Sequence, residues 1–268
     1  MPKIIIIILT IFVCSITEAQ SLIKFGITYT IGKEQSLLGK KKDKNHETNV
    51  NSSYGGGLTI DLGYIYLNNN NFGPEATLSF FLGKPKTIEH IIDNEIDNLT
   101  IVNRKMLFFS PALFVVGSST NDVNPYISSG LLFNLWGNIT KTEYVTKNET
   151  EKAEKTWKVT LNKGIGYKSK LGILYATNEN LLFFGELQYQ MIALAYKRDY
   201  LINYVVNGAD KLSTLTISEK EIEYQIAITH DSNYSLSNKF DINKPLNSVM
   251  QYANYNHFGV SGGLFWKP

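Results

Sequence analysis

Six charged residues sit inside segments that otherwise alternate apolar and small side chains: Lys24, Asp61, Glu75, Lys168, Lys170 and Glu186. Both signs are present, and charges withdrawn from water persist only when they are paired. Three lysines and three carboxylates on the inner face of one structure predict a structural ion-pair network rather than a path for protons or solutes. Which lysine meets which carboxylate depends on strand register, which the residues alone do not give.

Other groups capable of chemistry are weaker. His230, Asp231 and Ser232 are adjacent in sequence, but an acyl-transfer triad is assembled by geometry, and neighbours on one loop rarely face one another productively. A solvated loop is the plainer reading. The four histidines, His46, His90, His230 and His257, all fall in or beside segments read as loops, with neither the spacing nor the acidic neighbours of a metal site. Gly55, Gly56 and Gly57 lack the strand-to-helix switch and the Gly-Lys-Ser/Thr ending of a phosphate loop, and suit the start of a curved strand. Lys40, Lys41, Lys42 and Lys44 form a basic cluster that could touch lipopolysaccharide phosphates, although a charge run is more often a solvated loop. No catalytic, cofactor-binding or metal-ligating residue is therefore assigned, no cofactor is expected, and the chain is not read as an enzyme.

The elements that carry these residues are strands. Period-two alternation runs through Leu22 to Ile31, Tyr54 to Tyr66, Glu75 to Leu82, Tyr126 to Trp136, Ile165 to Tyr175, Leu181 to Met191 and Phe258 to Trp266. Met106 to Val116 is an eighth run, apolar on both faces and interrupted by Pro111. In the first run Ile23, Phe25, Ile27, Tyr29 and Ile31 share one face, opposite Lys24, Gly26, Thr28 and Thr30. Each run approaches the roughly 9 to 11 residues that a tilted strand needs to cross a bilayer. Apolar residues toward lipid and small or polar residues toward a lumen is the membrane-barrel pattern.

The links alternate in length. Asn68 to Asn71, Ser118 to Asn124 and Thr177 to Asn180 are short and turn-like, whereas 32–53, 84–102, 138–163 and 193–256 are long and polar. The expected fold is all-β, a transmembrane antiparallel up-and-down barrel of eight strands with short periplasmic turns and long extracellular loops. Ten strands is the alternative, if Leu212 to Ile217 and Ile222 to Ile228 are further staves.

The chain has 268 residues, 43% hydrophobic and 19% charged, with 16 Tyr and 14 Phe, which suits one large β domain. A net charge of +2 with scattered lysines excludes a surface neutralising several phosphates of nucleic acid. Residues 1–19 read as a signal peptide: Lys3, an apolar run from Ile4 to Cys14, a polar stretch and Ala19. The run is too short for a spanning helix, which needs roughly 20 residues. Cys14 is the one cysteine and follows the bulky Val13, unlike a lipoprotein processing site. Residues 20–268 form the barrel domain.

With its leader, its aromatic-bounded strands and a terminal strand His257 to Trp266, the chain resembles the outer-membrane β-barrel domain family common in Bacteroidetes. The terminal aromatics Phe265 and Trp266 are followed here by Lys267 and Pro268. The resemblance implies export to the cell outer membrane of a Gram-negative bacterium, insertion by the barrel-assembly machinery, and contact with outer-membrane lipids including lipopolysaccharide. Because the interior of an eight-stranded barrel is filled by side chains, an open diffusion porin is disfavoured. The expected role is structural, or interaction of the long loops with an unidentified external ligand or protein. The alternatives are a lipid-modifying or protease-like outer-membrane enzyme, with His230, Asp231 or His257 at the rim, and a soluble exported lipocalin-like binder.

Overall fold

The computed structural model describes residues 20–32, 36–43, 46–92, 95–117, 122–147 and 151–268; for 36–43, 46–52, 89–92, 95–98 and 147 it describes the backbone alone. The signal-peptide reading of residues 1–19, with Cys14, and Lys44 lie outside the described residues, as do the side chains of Lys40, Lys41, Lys42, His46 and His90.

Eight strands form a closed ring: β1 (Gln20–Gly32), β2 (Gly57–Leu67), β3 (Phe72–Gly83), β4 (Glu95–Val116), β5 (Val123–Lys147), β6 (Ile165–Ala176), β7 (Leu181–Met191) and β8 (His257–Trp266). Each pairs antiparallel with the next. The ring shuts where β1 meets β8, from Ile23 opposite Trp266 to Gly32 opposite His257. Closure leaves no free sheet edge at barrel level, so every stave satisfies its backbone on both sides.

Alternation dictates which face each residue takes. Lys24, Thr28, Asp61, Thr77, Ser79, Lys168, Lys170 and Glu186 are buried inside the ring, whereas Ile27, Ile60, Leu171, Leu187 and Val260 point outward and are 48–62% exposed. In β4 the sequence pattern is ambiguous, and the structure turns Met106, Phe108, Ser110 and Phe114 inward and Leu113 and Val115 outward. Pro111 has no N–H to give to β5. The Ser110 hydroxyl takes over, donating to the Leu131 carbonyl at 2.9 Å.

The two ends of the ring differ. At one end the links 68–71, 117–122 and 177–180 are short. At the other, β4 and β5 run on for 22 and 25 residues in all, far beyond a bilayer crossing. Their overhangs pair with Lys86–Ile92 and Glu151–Leu161, and the latter pairs with Ala193–Val206. Glu221–Gln225 and Leu246–Val249 extend this outer sheet. Ser36–Asp43 and His46–Ser52 form a separate hairpin.

Three expectations are corrected here. The links 84–102 and 138–163, read as polar loops, are largely strand, because Thr, Tyr and Val with Lys and Glu build a sheet that needs no continuous apolar face. Leu212 to Ile217 is not a strand: Leu212–Thr214 is a 3-10 turn, followed by a helical turn at Ile217–Lys220 with a capping box from Thr216 and Glu219. Ile222 to Ile228 contributes Glu221–Gln225 to the outer sheet and no stave to the ring. No helix among the described residues is long and apolar enough to cross a membrane.

Candidate functional site

The lumen is filled in three layers. Nearest the short turns, Leu22, Ile65, Phe114, Tyr126, Leu174, Phe184 and Phe265 form an apolar cluster. Phe184 and Phe265 stack edge-on at 5.0 Å. Glycine makes room for these rings: a Cβ on Gly172 would stand 2.6 Å from the Tyr126 ring, and one on Gly263 2.8 Å from Phe184.

Above that layer lie the six charges. Lys24 Nζ is 2.6 Å from Glu186 Oε2, Lys168 Nζ is 3.2 Å from Asp61 Oδ1, and Lys170 Nζ is 2.5 Å from Glu75 Oε1. These pairs do not link adjacent staves. β6 and β2 are four apart in a ring of eight, so Lys168 and Asp61 reach each other across the barrel axis. Hydroxyls complete the carboxylates: Thr28 donates to Asp61 at 3.0 Å, Thr77 to Glu75 at 2.7 Å and Tyr126 to Glu186 at 2.5 Å, with Ser79 and Ser128 also donating to Asp61 and Glu75. Lys24 also lies 4.4 Å from the centre of the Phe184 ring. Each cation is paired with an anion, Lys168, Lys170 and the three carboxylates have further hydrogen bonds, and Lys24 has its ring contact. Glu186 Oε1 is left without a hydrogen-bond partner among the described residues. Pairing of this kind is the condition under which buried charge is tolerated.

The third layer closes the wide end. Tyr54, Phe81, Met106, Phe108, Leu132, Ile192 and Tyr255 pack together. The Arg104 guanidinium ties three chain segments by donating to the carbonyls of Ser53 at 3.0 Å, Gly56 at 3.5 Å and Lys84. The hydroxyls of Tyr54 and Tyr196 meet at 2.7 Å, fastening this cork to the outer sheet.

All six inward charges predicted from alternation are brought together. The His230, Asp231 and Ser232 side chains are not. His230 is exposed and its Nδ1 is 3.7 Å from Asp231, but Asp231 is engaged by Lys239 at 2.7 Å, and Ser232 turns inward to donate to Gln225 at 3.1 Å. His257, expected beside a loop at the rim, is instead buried as the first residue of β8, stacked 6.3 Å from the Phe81 ring. No group of three potential metal ligands occurs among the described residues.

A second polar cluster, missed in the sequence, lies in the outer sheet. Asp199 is buried there, accepts from the Tyr224 hydroxyl at 3.0 Å and lies 4.0 Å from Lys141. Burial raises the Asp199 carboxyl above its ordinary range, against the opposing pull of Lys141, and lowers Lys141. On the opposite face Arg198 bonds Glu223 at 2.7 Å. The signal for Asp199 was faint: it falls in a segment whose alternation is interrupted by two register shifts.

No family model matches the chain, and no curated protein matches it. The likeness to the Bacteroidetes family therefore rests on the sequence pattern alone. The chain is similar to the solution structure of outer membrane protein W from E. coli, with 11% identity and a TM-score of 0.35, covering 94% of this chain and 100% of that one. The barrel described above rests on its own strand pairings.

Proposed function

We propose that the protein is a plugged outer-membrane barrel of a Gram-negative bacterium, displaying a folded outer sheet to the exterior rather than conducting solutes. The observation that supports it is the outward belt: every stave presents large apolar side chains to the surroundings, and no described part of the chain covers them. Soluble monomers rarely expose apolar patches beyond a few hundred Å². Here the patch encircles the molecule, which hydrocarbon accommodates and water does not. A soluble lipocalin-like binder would need that belt covered.

The short turns then face the periplasm and the outer sheet faces outward. With three ion pairs crossing the lumen between two aromatic layers, solute flow has no route, so the role falls to the projecting sheet and segment 193–256. Large apolar side chains stand exposed on that segment, including Ile226 at 85% and Leu236 at 87%, which suits contact with an external ligand or protein. The test is fractionation of the native membrane, followed by gel mobility with and without boiling. Recovery in the outer membrane with heat-modifiable mobility supports the reading; a soluble periplasmic or secreted protein sinks it.

A further inference from the structure

On one side of the lumen wall, six buried polar atoms have no hydrogen-bond partner among the described residues. They are Thr59 Oγ1 on β2, Glu186 Oε1, Gln188 Oε1 and Nε2 and Gln190 Nε2 on β7, and Ser261 Oγ on β8. All five side chains are buried. A buried polar atom left unpaired costs at least what a hydrogen bond contributes, and six together would rival the net stability of a whole domain. Something must bond them.

Strand register sets these side chains next to one another. Thr59 faces Thr28 on β1, Thr28 faces Ser261, and Ser261 faces Glu186, one continuous row across four adjacent staves. Two residues toward the wide end Gln188 faces Gly259, and two further Gln190 faces His257. The neighbouring donors are already committed. Thr28 donates to Asp61, Thr30 to the carbonyls of Gly55 and Gly57, and both Lys24 and Tyr126 to the other oxygen of Glu186. The wall at this level is made of small residues: between the ionic layer and His257, three consecutive staves turn only Gly259, Ser261, Thr28, Thr30, Gly57 and Thr59 inward. A Cβ on Gly259 would stand 2.9 Å from Gln188 Nε2, so the glycine lets that amide lie across β8.

We propose that this side of the lumen binds a cluster of water molecules that bridges Thr59, Ser261, Gln188 and Gln190 and solvates the second oxygen of Glu186. The lining selects the occupant. Amide and hydroxyl groups offer donors and acceptors together, so the ligand must both donate and accept. It must be neutral, because three lysines already balance three carboxylates and a further ion would be a buried charge without a counter-ion. It must be small, because apolar layers close the lumen above and below. Water with two to four polar partners meets all three conditions. Glu186 gains most: Lys24 and Tyr126 hold one oxygen and water the other, so this carboxylate keeps its charge without a second lysine. The inference does not depend on what surrounds the outward belt.

The test is a crystal structure of the whole mature protein at a resolution that shows ordered water, read beside the thermal unfolding of T59V, Q188L and S261A in the same detergent. Expected is water density within hydrogen-bonding distance of Thr59, Gln188, Ser261 and Glu186 Oε1. Each variant should lose its compact, fast-migrating band at a temperature lower by about 2–4 °C, because each gives up a hydrogen bond to held water. Side chains that turn to pair with one another and leave no water between them overturn the proposal, as does density there for any other molecule. An unchanged or raised transition in all three variants overturns it too, since that is the result of replacing a polar group that has no partner with an apolar one. The crystallographic arm uses the native protein alone, so it decides even where a variant does not fold.

Discussion

Lys168 and Asp61, on staves half a ring apart, meet at 3.2 Å on the barrel axis with neither side chain reached by solvent. The pair does for the lumen what a disulfide does for a loop: it holds opposite walls at a fixed separation. Removing one partner leaves a buried charge unpaired, which costs about 3–5 kcal/mol, whereas replacing both with apolar groups of similar size is often tolerated. K168M is therefore expected to shift urea unfolding in lipid vesicles strongly, and K168M/D61L to recover most of the loss. Equal damage from the single and double variants would show that the pair is not what holds this layer.

Closure at the β1–β8 seam depends on glycine. A Cβ on Gly263 would fall 2.0 Å from the Phe25 carbonyl and 2.8 Å from the Phe184 ring, so G263A must part the seam or displace the ring. Overpacking of this kind costs about 1–3 kcal/mol. The folded, fast-migrating band should disappear at a lower temperature in G263A, and a change at the roomier Gly185, where an added Cβ meets nothing within 4 Å, should leave the transition in place.

Asp199 gives the outer sheet a pH dependence whose sign is determined. Burial raises its carboxyl in the folded state, so the folded sheet holds this proton more tightly than the unfolded chain does. The contribution to stability is complete below the ordinary carboxylate value of about 4 and is lost as pH rises through the raised folded value. Amide exchange along Ala193–Val206 should accelerate, beyond its intrinsic pH dependence, between acid and neutral conditions in the native protein. D199N should flatten that excess. The opposite slope, or no difference between the two proteins, contradicts the assignment.

With its lumen bridged and corked, the barrel should show no stepwise conductance in planar bilayers. Removing the cork by Y54A/Y255A should still leave the ionic layer closed, since Lys24, Lys168 and Lys170 hold it independently of the tyrosines. Steady channel openings in the native protein would contradict the plugged reading.

Much of this was legible in advance. Eight runs become the eight staves because a barrel stave must show its two faces to two different environments, and period two records that directly: Ile27 and Ile60 fall outside, Thr28 and Asp61 inside. Pairing within the lumen was not legible, because contacts such as Lys24–Glu186 join residues 162 positions apart through a register that composition does not encode. The outer sheet was hidden for another reason. In Glu151–Leu161 the apolar Ala153, Trp157, Val159 and Leu161 share one face opposite Lys152, Glu154, Thr156, Lys158 and Thr160, but Glu151 and Lys155 interrupt that apolar face, so the alternation is weak and the polarity mimics a loop. His257 was misplaced because the start of β8 lies inside the wide mouth, under Phe81 and Tyr255, where polarity alone suggested the rim.

The account stands or falls on whether the outward belt faces hydrocarbon. In a protein with Cys14 replaced, single cysteines at Ile60, Leu171, Leu187 and Val260, and in alternation at Thr59 and Ser261, can be challenged in vesicles with a lipid-dissolved and a water-soluble thiol reagent. The account predicts reaction of the first four with the lipid-dissolved reagent only, and protection of Thr59 and Ser261 from both. Reaction of the four outward positions with the water-soluble reagent would contradict it.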